Sequence, residues 1–395
     1  MRNASECGTR NAERGIPVAT AQNLLRICDL NPTKSAFRNP QSEIAISHIL
    51  IAYIKSFKFD YKSSLPKNIL QMAGTPSNGR RKPKSHQVYL GVDGGGTKTH
   101  ISLMGESREV KCEGFAGPSN PLRVGVETAV TNIAKAINEA CDRDGVSRGD
   151  IVAATLGLAG VRRADLKQSV RESFIKRLGI RKVEVVTDAE IALYATTQGK
   201  LGLVVIAGTG SVCLGKNASG EMAIAGGWGP LAGDEGGGVG IAQQALHTIA
   251  KASDGRGIPT MLSQRASEYF RASGPENLIV AIYSPQVDNS RIAGFARLVV
   301  ETAQEGDQIA MDILRDAGYE LGLAACAVID KLKLDGSKVP IGCVGSIFNA
   351  GELLTKPMLE KVRKCAPKAF LTEPAMPPSH AAALMAYQRY SNGSR

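Results

Sequence analysis

The chain has 395 residues, 43% of them hydrophobic, and a formal net charge of +11, which is enough length for a large buried core. Residues 1–86 carry 14 Lys and Arg against 5 Asp and Glu, whereas the remaining residues carry 34 against 32. A nucleic-acid-binding core would be expected to carry its own basic face, so no nucleic-acid partner is predicted. No apolar run reaches the roughly 18 residues of a membrane span, so no membrane partner is predicted either.

Residues 1–86 are predicted to form a basic, poorly ordered extension without a catalytic role, because they show no sustained periodicity. The extension could be an organelle transit segment, a regulatory tail, or a piece absent from the mature protein, with Met72 as a later start. Five acidic residues and few serines weaken the transit interpretation. The eight cysteines have no CxxC or metal-ligand spacing, which favours free thiols and a cytoplasmic location.

The first core element is predicted over residues 88–104, where two apolar runs enclose Asp93, three glycines and Thr97. This pattern predicts a strand, a tight turn and a returning strand, because glycine turns sharply without a Cβ penalty. Glycine backbone N–H groups also approach an anion closely, and Thr97 adds a hydroxyl donor. Asp93 could hold hydrated Mg²⁺ beside the phosphates. An ordinary β-hairpin is the alternative.

The rest of the first half alternates between strands and helices. This alternation, after an opening antiparallel run, predicts a mixed sheet with helices on its faces. The predicted strands are 109–117, 151–158 and 183–187, and the predicted helices are 124–142, 166–178 and 189–196.

A second copy of the glycine hairpin is predicted over residues 204–214, with Thr209 and Ser211 as hydroxyl donors. Asp93 aligns on Ala207 at an offset of about 114 residues, and such internal duplication is more informative than either motif alone. Two phosphate-gripping hairpins indicate two related lobes that face one nucleotide. The second half continues with strands 202–207, 211–216, 340–345 and 369–372, a Gly-rich segment 226–240 with hinge candidates, and helices 239–252, 259–271, 289–304, 307–332, 350–364 and 379–390.

Asp188 is the first candidate for a general base. It lies where a buried strand opens into a helix, at the carboxyl edge of the sheet, where open α/β folds bind ligands. The competing interpretation is a helix N-cap, which also applies to Asn120, Asp234 and Glu235. Trp228, the single tryptophan, could be a core residue or a neighbour of the substrate.

Seven short motifs in order resemble those of the sugar kinase, actin and heat-shock chaperone superfamily. Within it, residues 87–391 resemble the N-acetylglucosamine kinase branch of the BadF/BadG/BcrA/BcrD ATPase family. The resemblance implies an α/β, two-lobed, ribonuclease H-like (actin-like ATPase) fold with a duplicated mixed sheet and an interlobe cleft. The lobes would be residues 87–201 with helix 379–391, and residues 202–378. The motifs are Asp93–Thr97, Ser119–Asn120, Thr187–Ala189, Gly208–Ser211, Gly226–Gly229, Gly233–Gly236 and Val344–Ser346.

The resemblance also implies roles for individual residues in ATP-dependent phosphorylation of an amino sugar, most simply N-acetyl-D-glucosamine at C6. Asp188 would accept the proton of the sugar hydroxyl. Asp93 would organise Mg²⁺ through water, and the protein would be a homodimer. Sugar contacts would come from Asn120, Asp188, Gly226, Gly227 and Asp234, and ATP contacts from Gly95, Gly96, Thr97, Thr209, Gly210, Ser211, Ala293 and Gly345.

Several other functions remain open at this point. They are a glucosamine or N-acetylmuramic acid kinase, an ATPase that activates an Fe–S enzyme, and a non-catalytic sugar sensor. Scattered cysteines argue against the Fe–S ATPase, which needs clustered ligands. Lys98 follows the glycines without the spacing of a Walker A loop, and Cys213 replaces the third glycine of a dinucleotide motif. His100, His247 and His380 show no ligand spacing and are predicted to be surface or satisfied core residues.

Overall fold

The computed structural model describes residues 87–391, so the predictions made for residues 1–86 lie outside the described residues. Within the described part, none of the helices has the length and hydropathy needed to cross a membrane. The strands are β1 (Val88–Gly94), β2 (Thr99–Gly105), β3 (Val110–Ala116), β4 (Ile151–Leu158), β5 (Val183–Thr187), β6 (Gly202–Ala207), β7 (Ser211–Lys216), β8 (Met222–Gly226), β9 (Pro340–Val344) and β10 (Phe370–Thr372). The helices are α1 (Pro121–Val124), α2 (Val126–Asp144), α3 (Ala164–Leu178), α4 (Asp188–Thr197), α5 (Gly238–Ser253), α6 (Leu262–Phe270), α7 (Leu278–Ile282), α8 (Asn289–Gln304), α9 (Gln308–Leu332), α10 (Glu352–Cys365) and α11 (Pro378–Ser391).

The first sheet has the strand order β3-β2-β1-β4-β5. The pairs β1–β2 and β2–β3 are antiparallel, and the pairs β1–β4 and β4–β5 are parallel. Asp93 at the end of β1 pairs with His100 of β2 and with Gly157 of β4. The predicted hairpin and mixed sheet are therefore confirmed, and Asp93 lies at the carboxyl edge of the sheet.

The second sheet repeats this topology strand by strand, in the order β8-β7-β6-β9-β10. Again the first two pairs are antiparallel and the last two are parallel. The predicted duplication is thus a duplication of whole sheets as well as of hairpins. The structure is the expected α/β, two-lobed fold, and the lobe boundary near residue 201 stays a prediction.

Helices α4 and α11 cover the inner face of the first sheet. Gly91 of β1 allows a close approach of α11, since a Cβ there would lie 2.0 Å from the carbonyl oxygen of Ser379. Gly157 of β4 likewise accommodates Ile191 of α4, whose Cδ1 would lie 2.4 Å from such a Cβ. The other side of α4 packs on Val204 and Leu214 of the second sheet, so α4 lies between the two sheets. Return of the final helix to the first lobe is confirmed.

Three short elements escape the sequence prediction: α1, β8 and α7. Helix α1 has only four residues. Strand β8 is an edge strand of five residues, and each of them is exposed or half-buried. It therefore lacks the alternation of apolar and polar residues that indicates a strand. Helix α7 has five residues, too few to show helical periodicity. Predicted helix and strand limits elsewhere differ from the observed limits by three residues or fewer.

The prediction of free thiols is wrong for one pair of cysteines. Cys326 of α9 and Cys365 of α10 form a disulfide with their Cα atoms 6.0 Å apart. The two residues are separated by 39 positions in the chain, and their spacing carried no signal for the pairing. Four other cysteines of the described part are free thiols: Cys112, Cys141, Cys213 and Cys343.

Candidate active site

The first glycine hairpin is fixed by backbone hydrogen bonds to the loop before α1. The carbonyl oxygen of Gly95 accepts from the N–H groups of Ser119 and Asn120, each at 3.1 Å. Inside the turn, the N–H of Gly95 donates to the carbonyl oxygen of Lys98 at 2.9 Å. Thr97 is exposed, so its hydroxyl is free to meet a ligand. The turn is thus rigid at its base and accessible at its tip.

The second hairpin is fixed in the same way, but against the beginning of α5. The N–H of Gly238 donates to the carbonyl oxygen of Gly208 at 2.8 Å, and the N–H of Val239 donates to that of Thr209 at 3.0 Å. Thr209 is exposed like Thr97. The Ser211 hydroxyl instead donates to the carbonyl oxygen of Glu235 at 2.6 Å, which fixes the Gly-rich segment against the hairpin.

Two further residues assigned to the nucleotide lie against this second hairpin. The Cβ atom of Ala293 in α8 would lie 3.2 Å from a Cβ on Gly238. Gly345 follows β9 with a φ of +117°, and a Cβ there would lie 2.2 Å from the carbonyl oxygen of Ala207. The structure therefore brings these two residues together at the hairpin, and Gly345 is a position where only glycine fits.

Asp188 is the first residue of α4 and directly follows β5, an edge strand of the first sheet. The N-cap interpretation of Asp188 is wrong, because Thr187 is the N-cap and forms a reciprocal capping box with Glu190. The Asp188 carboxylate accepts the N–H of Ala189 at 3.0 Å. Burial raises its pKa above the ordinary range.

Asp93 and Asp188 both lie at the carboxyl edge of the first sheet, Asp93 near the end of β1 and Asp188 directly after β5. Burial, and then the negative charge of Asp188, raise the pKa of Asp93 to about 6, against an ordinary value of 3.8. Lys98 offsets part of this effect. Carboxyl groups whose pKa values are raised by burial, at the edge of an α/β sheet where ligands bind, are typical of a functional site.

The residues assigned to the sugar come from both halves of the chain, including the residue before α1 and those at the end of β8. Asn120 caps the short helix α1 by accepting the N–H of Leu122 at 3.0 Å, and its side chain lies over Gly160, where a Cβ would be 2.5 Å from Asn120 Oδ1. Across the cleft, Gly226 and Gly227 adopt φ values of +78° and +70°. Their left-handed backbone favours glycine.

The Trp228 side chain is 73% exposed, so its interpretation as a core residue is wrong. Asp234 is buried with a φ of +65°, an uncommon conformation for a residue other than glycine. Its carboxylate accepts the N–H of Gly229 at 3.3 Å, and burial raises its pKa. Asp234 does not cap α5, which begins four residues later at Gly238 without a side-chain cap. Asp234 therefore lies between Gly210 of the second hairpin and Gly229 in the loop after β8.

Two arginines that sequence reasoning missed connect the sheets across the cleft. Arg123 of α1 donates to Ser290 Oγ at 2.8 Å and pairs with Asp288 at 3.3 Å, both at the beginning of α8. Arg162, after β4, donates to the carbonyl oxygen of Gly227 at 2.8 Å and lies 5.9 Å from the centre of the Trp228 ring. Their partners lie far away in the sequence, so no local pattern could reveal either contact.

Asp93 is chemically suited to hold Mg²⁺. Within residues 87–391 no group of three or more His, Cys, Asp or Glu side chains could enclose a metal ion. Mg²⁺ does not need such a cage, since it usually keeps several waters and binds one or two carboxylates together with substrate phosphates. Burial raises the pKa of Asp93 to about 6, and a nearby cation would stabilise its ionised form. Asp93 therefore fits this mode of binding.

Comparison with known proteins gives one family and several relatives. The model of the BadF/BadG/BcrA/BcrD ATPase family matches residues 90–384. An N-acetylmuramic acid/N-acetylglucosamine kinase of Clostridium acetobutylicum is 36% identical over 264 residues, which are 67% of this chain and 86% of the relative. An N-acetyl-D-glucosamine kinase of Dictyostelium discoideum is 32% identical over 313 residues, 76% of this chain and 98% of the relative.

Solved structures support the fold. A structure from Chromobacterium violaceum, named as a candidate N-acetylglucosamine kinase, superposes with a TM-score of 0.64 at 24% identity. The match covers 76% of this chain and 99% of the other chain. At this identity the similarity concerns the fold alone.

Proposed function

The chain belongs to the BadF/BadG/BcrA/BcrD ATPase family, and from this premise we propose that it transfers the γ-phosphoryl group of ATP to an amino sugar. The favoured acceptor is N-acetyl-D-glucosamine, and the favoured position is the C6 hydroxyl. The names of the Clostridium and Dictyostelium relatives support this class of acceptor. The observation that carries the proposal is the position of Asp93 and Asp188 at the same carboxyl edge of the first sheet as the first glycine hairpin.

In the proposed reaction Asp188 acts as the general base. The C6 oxygen of the sugar attacks the γ-phosphorus, and the bond from that phosphorus to the β,γ-bridging oxygen breaks. The hydroxyl proton passes to the Asp188 carboxylate, and ADP leaves with the bridging oxygen. Phosphoryl transfer of this kind depends mainly on positioning and charge neutralisation. The role of Thr187 as the N-cap of α4 supports this assignment, because Asp188 is then not required to be the cap.

The two hairpins would hold the triphosphate through backbone N–H groups and exposed hydroxyls. Thr97 and Thr209 carry the exposed hydroxyls, and Ser211 stabilises the second hairpin through its hydrogen bond to the carbonyl oxygen of Glu235. Asp93 would hold Mg²⁺, which supplies charge neutralisation at the phosphates when bound. Asn120, Gly226, Gly227 and Asp234 would contact the sugar.

Three further features complete the proposal. We expect the protein to work in the cytoplasm, as a homodimer, and with Mg²⁺. Family resemblance supports each of them. Magnesium dependence is tested by chelation and re-addition, and the oligomeric state by sedimentation of the full chain.

The test of the proposed function is ATP turnover with a panel of sugars. The full chain should form ADP rapidly with N-acetyl-D-glucosamine, more slowly with glucosamine or N-acetyl-D-mannosamine, and very little without sugar. Each product should carry one phosphate. Turnover that is independent of every amino sugar would contradict the proposal.

A further inference from the structure

Arg162 places a positive charge at the edge of the proposed sugar subsite. It follows β4 by four residues, and two residues earlier Gly160 lies beneath the side chain of Asn120. Its guanidinium crosses the cleft to the carbonyl oxygens of Gly227 at 2.8 Å and Gly226 at 3.4 Å. Arg162 therefore contacts two of the residues assigned to sugar binding and lies two positions after the glycine beneath a third.

The charge of Arg162 is not neutralised by the protein. Among residues 87–391 no carboxylate forms an ion pair with Arg162, whereas the neighbouring Arg163 pairs with Asp165 at 2.6 Å. The two carbonyl contacts use one terminal nitrogen, Nη1, and a guanidinium has five N–H donors. Donors on the Nε and Nη2 atoms remain for a ligand. The Trp228 ring lies beside the guanidinium, with its centre 5.9 Å from Cζ.

A guanidinium with a free edge is matched to a carboxylate. Two parallel N–H donors bind the two oxygens of a carboxylate in a bidentate pair, which is shorter and stronger than a bond to a neutral acceptor. A sugar bound with its C6 hydroxyl toward Asp188 presents its C2 and C3 substituents across the ring from that hydroxyl. N-acetylmuramic acid, named in the Clostridium relative, differs from N-acetylglucosamine by a carboxylate-bearing lactyl ether on the C3 oxygen.

We propose that Arg162 determines acceptance of acidic amino sugars by this site, through an ion pair with a carboxylate on the C3 substituent. The inference rests on the proposed function and specifies its substrate class. Neutral N-acetylglucosamine does not need the pair, so Arg162 governs the ratio between the two acceptors rather than the phosphoryl transfer itself. It is a specificity residue, distinct from the base Asp188.

The test compares kcat/KM for N-acetylmuramic acid, its neutral methyl ester and N-acetylglucosamine in four full-chain proteins. These are the wild type, Arg162→Gln, Arg162→Lys and the matched control Arg163→Gln. We expect Arg162→Gln to lower kcat/KM for N-acetylmuramic acid by roughly 10- to 100-fold, the usual effect of losing a charged hydrogen bond. Because Arg162 also contacts Gly227, kcat/KM for N-acetylglucosamine and for the methyl ester can fall as well, but the two should fall equally and by at least roughly tenfold less than kcat/KM for N-acetylmuramic acid.

Two further results complete the expectation. Arg162→Lys should retain part of the preference for the acid, because a lysine keeps the charge and loses the bidentate geometry. Arg163→Gln should leave kcat/KM unchanged for all three acceptors. Melting temperatures equal to that of the wild type would show that every variant is folded.

Two outcomes would overturn the inference and leave the proposed function intact. One is a wild-type protein that phosphorylates N-acetylglucosamine and not N-acetylmuramic acid. The other is an equal loss for all acceptors in Arg162→Gln, which would make Arg162 a structural connection to Gly227. Failure of the wild type on every amino sugar would instead contradict the proposed function.

Discussion

Asp93 ends β1 beside the first glycine turn, whereas Ala207 ends β6 at the matching position beside the second turn. The sheets around them have the same topology, so the scaffold is duplicated while the chemistry is not. In the first half, Asp93 and Asp188 place two carboxyl groups at the cleft. In the second half, Ala207 is buried under Gly345, and the hairpin offers mainly backbone groups. One half is thus suited to acid–base chemistry and the other to holding a nucleotide.

The largest expected effect comes from removal of the proposed base. Asp188→Ala should lower turnover by roughly 10²- to 10⁴-fold, the usual cost of losing a general base. Sugar and ATP should still bind, as measured by calorimetry. The matched control is Thr187→Ala, which removes the N-cap and should cost roughly 1 kcal/mol of stability with a much smaller loss of turnover. Near-normal turnover of Asp188→Ala would contradict the assignment of Asp188 as the base, and with it the claim that acid–base chemistry belongs to the first half of the chain.

The second prediction concerns the charge of Asp93 and its dependence on pH. Because its pKa is raised from 3.8 to about 6, its stabilising contribution is complete below pH 3.8 and is lost as the pH rises through 6. In the absence of ligand, Asp93→Asn should therefore be more stable than the wild type at pH 8, by roughly 2 to 3 kcal/mol at most, and not at pH 4.

Chemical denaturation at the two pH values measures this difference. The same variant should lose at least roughly tenfold in turnover at pH 8, because a carboxylate beside the phosphates is lost. Equal stability shifts at pH 4 and pH 8 would show that ionisation of Asp93 is not disfavoured in the folded protein.

The third prediction examines the second hairpin, where the backbone is expected to do the binding. Gly210→Ala would place a Cβ 2.2 Å from Asp234 Oδ2 and should cost roughly 1 to 3 kcal/mol of stability. At Gly208 a Cβ would meet nothing within 4 Å, so Gly208→Ala should change stability by less than about 0.5 kcal/mol. The latter should still raise KM for ATP, because its methyl group enters the proposed nucleotide space. Thermal melts and ATP titrations separate the two effects.

The smallest expected effect concerns α11, which covers the first sheet. The buried Ser379 hydroxyl lies 2.8 Å from Ser102 Oγ and 3.1 Å from His100 Nδ1. Ser379→Ala should lower stability by about 1 kcal/mol without affecting the cleft chemistry. The control is Ser169→Ala on the exposed face of α3, which should be near neutral. An equal effect of both changes would show that the buried network contributes nothing measurable.

Local patterns in the sequence were sufficient to predict the features that depend on neighbouring residues. The glycine turns, their duplication and the position of Asp188 after β5 all follow from apolar runs and turn residues within short windows. The role of Thr187 as N-cap was within reach as well, since Thr187 and Glu190 have the spacing of a capping box.

Features that depend on distant contacts could not be predicted in this way. Arg123 reaches the beginning of α8, Arg162 reaches Gly227 after β8, and the Cys326–Cys365 disulfide joins two separate helices. His100 and His380 both contact Glu113 Oε1, at 2.9 and 2.7 Å, although 267 positions separate His380 from Glu113. Such contacts depend on the tertiary packing of elements that are distant in the chain, and the periodicity of a single sequence does not encode this packing.

The destination of the γ-phosphorus tests the central claim most directly. With ATP, Mg²⁺ and N-acetyl-D-glucosamine, phosphorus NMR of the full-chain reaction should show one new phosphomonoester signal, coupled to the two protons on C6, in equal amount to ADP. The signal should be absent with Asp188→Ala over the same time. ADP formation accompanied only by inorganic phosphate would mean that water is the acceptor, and it would contradict a cleft that delivers the phosphoryl group to a sugar.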